Sequence, residues 1–146
     1  MEQSESDKRL NFLRSLIGKE MCGSPSPYMD WLKPVVISAE AGALKFSYLI
    51  RKEMTNPMGT LHGGVTAGLI DDIIGATVYS LGLADHFTTV NNVIDYFATA
   101  KEGDLIVAET SIVKRGRTVI NLQCEVILPA KGRLIAKGYS NMLNIG

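Results

Sequence analysis

From His62 to Leu81 the chain contains no Lys, Arg or Glu, and its apolar residues fall on every side of any helix drawn through them: Val65, Ala67, Leu69, Ile70, Ile73, Ile74, Ala76 and Val78. A helix without a solvated face has to be enclosed by other protein. Two adjacent acids, Asp71 and Asp72, sit in the middle of it. An ionised carboxylate in apolar surroundings is costly unless it finds partners. Successive helical residues point about 100° apart, so the two acids must have different surroundings. One is expected to reach a cleft or an interface, the other to be solvated or to cap a neighbour. Hydrogen-bond networks also place acids in cores, so a purely structural pair bonded to a nearby hydroxyl is the alternative.

The residues before the helix bear on that choice. Asn56-Pro57-Met58-Gly59-Thr60-Leu61-His62-Gly63-Gly64 reads as a loop, since Pro57 lacks an N–H and the glycines tolerate tight backbone. A His-Gly-Gly at a helix start leaves free N–H groups at the positive end of the dipole, and Gly63 and Gly64 let a ligand atom approach closely. Such donors polarise a carbonyl and stabilise an oxyanion. His62 and Asp71 are nine residues apart, roughly 13.5 Å of rise and half a turn out of phase. Donors and acid of one chain therefore cannot easily meet around one atom. A two-fold dimer, with donors from one subunit and acid from the other, is the simplest arrangement in which both act.

At 146 residues the chain is read as one domain, 1–146, large enough to bury a substantial core. Fifteen basic and fifteen acidic residues cancel, which argues against broad nucleic-acid binding. Cys22 and Cys124 are too few for a disulfide scaffold, and Cys124 lies in an apolar strand pattern as a buried thiol. No secretory signal opens the chain, and the two acids exclude the central helix as a membrane span, so a cytoplasmic protein is expected. Leu10, Leu13, Leu16 and Ile17 recur at helical spacing within Ser6–Ile17, ahead of Gly18. Gly23–Pro27 reads as a loop, and residues 35–50 as a β-hairpin turning at Ala39-Glu40-Ala41-Gly42. Four strands follow the central helix, at Thr88–Ala98, Asp104–Lys114, Arg117–Leu128 and Leu134–Leu143, joined by short turns. The whole is an α+β chain: a short N-terminal helix, and an antiparallel sheet curled around one apolar helix.

This element order, together with Asn56, His62-Gly63-Gly64 and Asp71, resembles the hotdog-fold acyl-CoA thioesterases, in particular the phenylacetate-pathway and 4-hydroxybenzoyl-CoA thioesterase-like branch. The resemblance covers about residues 8–145. It implies that Asn56 and His62 position the thioester or the attacking water. By the same resemblance, the Gly63 N–H polarises the carbonyl, Asp71 serves as general base or nucleophile, and Thr89 helps hold the water. It also implies a site between subunits, a homodimer and commonly a homotetramer, and an acyl-CoA substrate with no cofactor. It assigns nothing to Asp72.

A thioester is already activated, so an oxyanion donor and a base suffice and no metal is needed. His62, His86, Asp71 and Asp72 lack compact ligand spacing, and Ser80 and Ser111 lack a nucleophile elbow. Lys114-Arg115-Gly116-Arg117 is a candidate seat for CoA phosphates, or else an ordinary charged turn keeping a sheet edge soluble. The acyl pocket is expected along the helix, lined by residues such as Leu69, Ile73 and Tyr79. A non-catalytic acyl-CoA-binding module and an acyl-thioester hydratase or dehydratase are the alternatives.

Overall fold

The computed structural model describes residues 2–146. The enclosed stretch forms α3 (Gly63–Tyr79), and it is preceded by α1 (Glu5–Ser15), α2 (Pro27–Leu32), β1 (Val35–Glu40) and β2 (Ala43–Leu49). After it come β3 (Phe87–Tyr96), β4 (Leu105–Arg115), β5 (Val119–Leu128) and β6 (Arg133–Asn144). All six strands join one antiparallel sheet in the order β1-β2-β4-β5-β6-β3. The expected strands and both long helices are present. The helix α2 was not anticipated: Ser26 caps it by accepting from Met29 N–H, with Pro27 at its first position.

The sheet wraps one face of α3. Leu69, Ile70, Ile73 and Ile74 are fully buried against Phe46, Ile106, Ile120 and Leu122 of the strands. Alternation along β5 puts Ile120, Leu122, Cys124, Val126 and Leu128 inward, as a half-buried strand requires. Burial in that layer pushes the Cys124 thiol up to about 12. At its C-terminal end α3 is tied to the strands through hydroxyls. Thr77 and Thr110 share a 2.7 Å bond. Ser80 Oγ accepts from Gly42 N–H at 2.9 Å and donates to Thr77 O at 2.6 Å.

The sequence implies a helix enclosed all round, but α3 is not: Asp71 and Tyr79 are exposed, and that side is approached by α1, α2, the loop between them and Thr89 of β3. Where α2 crosses, Gly68 makes room for an aromatic ring: a Cβ there would lie 2.0 Å from the Tyr28 hydroxyl oxygen.

The two edges of the sheet differ. Beside β1 run residues 17–21, through Ile17–Val36 and Glu20–Val35 bridges and Gly18 N–H to Val36 O at 3.1 Å. On its side away from β6, β3 pairs with no strand among the described residues, and its Val90, Val93 and Tyr96 are more than half exposed. A long apolar edge left open is a template for another strand.

Candidate active site

Asp71 lies midway along α3 on the side the sheet leaves open, and two side chains of β3 reach it. Thr89 Oγ1 donates to Asp71 Oδ1 at 2.9 Å, and Asn92 Nδ2 donates to the same oxygen at 3.0 Å. The β3–β6 register shifts between Thr89 and Asn91, so Val90 is an extra residue. That bulge turns residues three apart onto one face, where strict alternation would have sent Asn92 outward. The family resemblance singled out Thr89, as a residue holding the water, whereas Asn92 was missed for this reason. The second carboxylate oxygen of Asp71 accepts nothing from the described residues and is available to water.

Asp72 turns the other way, toward the segment before α2. Ser26 Oγ donates to its Oδ1 at 3.3 Å, while Oδ2 is buried with no partner among the described residues. Burial is the main force raising its carboxyl to about 6; the Ser26 bond opposes this, and the charges of Asp71 and Asp30 add to it. The two acids therefore do have unlike surroundings, one hydrogen-bonded and open, the other desolvated.

A cavity of about 500 Å³ opens beside both acids. Phe12 of α1, Met21 and Pro25 of the following loop and Met29 of α2 form one wall. Gly75, Ala76 and Tyr79 of α3 form the other, and Asp71, Asp72 and Thr89 with Ser24 and Ser26 give it its polar lining. Leu69 and Ile73, which the sequence suggested as pocket residues, are instead sealed in the core at 1% and 0% exposure. Their spacing on α3 points them at the sheet, away from the side that α1 and α2 cover. Only Tyr79 of that trio reaches the cavity.

The other candidate residues gather at the start of α3. His62 is the N-cap, and its Nδ1 accepts from Gly64 N–H at 2.8 Å, which assigns the ring proton to Nε2. Val65 and Thr66 N–H both donate to His62 O. Gly63 N–H is the amide of this first turn that finds no acceptor among the described residues. Gly64 is thus not a second free donor, because His62 already holds its N–H; what it leaves to a ligand is space. Tyr96 of β3 donates from its hydroxyl to Gly63 O at 2.9 Å and braces the turn. Asn56 staples the loop: its Oδ1 accepts from Met58 and Thr60 N–H at 3.0 and 3.1 Å, and its Nδ2 donates to Thr60 Oγ1 at 2.8 Å.

Within one chain these two groups stay apart. Gly63 and Asp71 are separated by eight residues, about 12 Å along the axis. Lys114, Arg115 and Arg117 are exposed on the β4–β5 turn and form no ion pair among the described residues. Arg115 and Arg117 line a separate cavity of about 340 Å³ next to Asp85. The register aligns Arg115 with Ile120, Met142 and Thr89 across four neighbouring strands. At about 4.8 Å per strand, the cations lie roughly 14 Å from Thr89 at the same end of the sheet. His86, by contrast, sits at the C-terminus with Nδ1 3.3 Å from Gly146 O.

Residues 58–133 match the family model described as the thioesterase superfamily. Human acyl-coenzyme A thioesterase 13 is 33% identical over 106 residues, covering 73% of this chain and 76% of the relative. The crystal structure of zebra fish thioesterase superfamily member 2 superposes with a TM-score of 0.77 at 26% identity, covering 99% of this chain and 100% of that one. A Streptococcus mutans protein solved bound to acetyl CoA superposes with a TM-score of 0.72 at 25% identity, over 77% of this chain and 89% of that one.

Proposed function

The chain belongs to the thioesterase superfamily, and from that membership we propose that it hydrolyses acyl-CoA thioesters to the free acid and CoA. The observation that carries the reading is Asp71: a carboxylate oriented by Thr89 and Asn92 in the wall of a largely apolar cavity. The cavity takes the acyl group, and the thioester carbonyl carbon sits near the free oxygen of Asp71. Water, deprotonated by Asp71, adds to that carbon; the C–S bond then breaks and the CoA sulfur takes up the proton. Direct attack by the carboxylate, followed by hydrolysis of the anhydride, is the variant route through the same residue. The tetrahedral oxyanion needs a donor, and the Gly63 N–H is unengaged and lies at a helix N-terminus.

Because Gly63 and Asp71 of one chain are about 12 Å apart along α3, the complete site uses two copies. The bare β3 edge supports this arrangement. Thr89 stands near one end of β3 beside Asp71, and Tyr96 at the other end beside Gly63. Antiparallel pairing of two β3 strands about a two-fold axis sets one copy's Gly63 end against the other's Asp71 end. Asn56 and His62 shape the donor turn, Gly64 lets the thioester approach it, and Thr89 holds the acid and its water. Lys114, Arg115 and Arg117 offer charge for the CoA phosphates. A tetramer of two such dimers and a cytoplasmic setting go with this reading. Among the described residues no helix is long and apolar enough to cross a membrane.

The test is steady-state hydrolysis of a panel of acyl-CoAs by wild type and Asp71→Asn, following free thiol. A loss of roughly 10²–10⁴ in kcat is expected for the variant. Cleavage at the wild-type rate would remove Asp71 from the chemistry.

A further inference from the structure

Two glycines interrupt the open side of α3, and they have different causes. Gly68 is required by packing, since the Tyr28 ring occupies the space a side chain would take. Gly75 has no such reason. A Cβ built on it meets no atom within 4 Å, and its backbone is ordinary helix with no positive φ. Glycine inside a helix is disfavoured relative to alanine by backbone entropy, so folding alone would favour a side chain here. What the missing side chain provides is room in the cavity that holds Asp71 and Thr89, whose wall Gly75 forms.

Its place along that cavity is informative. Gly75 is one turn beyond Asp71, about 6 Å further along the axis toward Tyr79. An extended chain advances about 1.2 Å per bond, a third of what a peptide residue spans with three. A chain whose carbonyl is held at Asp71 therefore reaches Gly75 about five bonds on. We propose that Gly75 is the specificity-determining position of the acyl pocket: its bare backbone admits acyl groups that extend or widen beyond about the fifth carbon. This rests on the hydrolytic reading above for the identity of the ligand, but the space itself does not.

The experiment compares wild type, Gly75→Ala and Gly75→Leu on acetyl-, butanoyl-, decanoyl- and phenylacetyl-CoA, with melting temperature and size-exclusion profile recorded for each. The decanoyl-to-acetyl ratio of kcat/KM should fall at least tenfold in Gly75→Leu and less in Gly75→Ala, with decanoyl-CoA showing the larger rise in KM. Melting temperature should not fall. An unchanged ratio with intact folding would overturn the proposal. So would an equal loss on all four substrates accompanied by altered assembly, which would make Gly75 a subunit contact. If wild type cleaves none of them, binding of a decanoyl-CoA thioether, measured by calorimetry, replaces turnover. Binding lost selectively in Gly75→Leu would then keep the pocket assignment while removing hydrolysis, and binding unaffected by the substitution would remove the assignment.

Discussion

Asp71 is ordered by two neutral donors on one oxygen, and each of them should matter in proportion. A hydrogen bond to a charged group contributes about 1.5–3 kcal/mol. Thr89→Ala and Asn92→Ala should therefore each lower kcat about ten- to a hundredfold, with KM little changed, as steady-state kinetics on one good substrate will show. Asn92→Asp should do worse, because it sets a second carboxylate against the first. Asp72 makes a different forecast. Burial above all raises its carboxyl in the folded chain to about 6, from an ordinary value of 3.8. The folded chain thus holds this proton more tightly than the unfolded one. Its contribution to stability is complete below about pH 4 and is lost as pH rises through about 6. Asp72→Asn should accordingly gain melting temperature relative to wild type at pH 8, by a free energy on the order of 2 kcal/mol, and gain little at pH 4. Denaturation curves at the two pH values decide it. A protein equally stabilised at both would show that burial of the charge is not the cause. At this scale the sequence revealed the acid and the hydroxyl but not the amide. Thr89 came from the family resemblance, whereas the placement of Asn92 depends on a bulge at Val90 that no alternation pattern signals.

Among the elements, the strands were readable because burial on a sheet face imposes a period of two, and α3 because its long apolar run lacks that alternation. The short helix α2 was not readable. Its six residues carry too little periodicity, and the two prolines before and at its start also suit a loop. The consequence reached the pocket. Without α2 and its ring against Gly68, the outer side of α3 could not be told from the inner, and Leu69 and Ile73 were assigned to the wrong wall. The join between α3 and the β1–β2 turn is a test of how these elements are locked. Ser80 satisfies Gly42 N–H, and Gly42 has φ 79° with Ile112 packed against it, so the turn has no freedom to find another acceptor. Ser80→Ala leaves that buried N–H unpaired and should destabilise the fold by about 1–3 kcal/mol in urea denaturation. Activity per folded molecule should be retained, since Ser80 lies far along α3 from Asp71.

For the molecule as a whole, the decisive question is whether a working site is made from one chain or two. Gly63→Pro answers it without disturbing the fold: proline suits the first turn of a helix, a Cβ here meets no atom nearer than 3.7 Å, and His62 already has the extended ψ of 133° that a following proline demands. The substitution takes away the N–H and adds a ring where the ligand would approach. Alone it should lose about 2.7–4 kcal/mol of transition-state stabilisation, and Asp71→Asn alone should be similarly impaired. Co-expressed, the two should recover about a quarter of wild-type activity, because half the dimers are mixed and each of those keeps one undamaged site of two. Mixtures no better than either parent would mean that each chain works alone. The unequal rims of the sheet carry a last implication. Residues 17–21 cover the start of β1 at Val35 and Val36, and Arg14 Nε donates to Ala39 O further along it, so a dimer joined through β3 would turn two partly covered rims outward. In such a dimer strand addition would be impeded after one step, and the exposed backbone of β3 would be spent within the pair rather than left to seed a fibre.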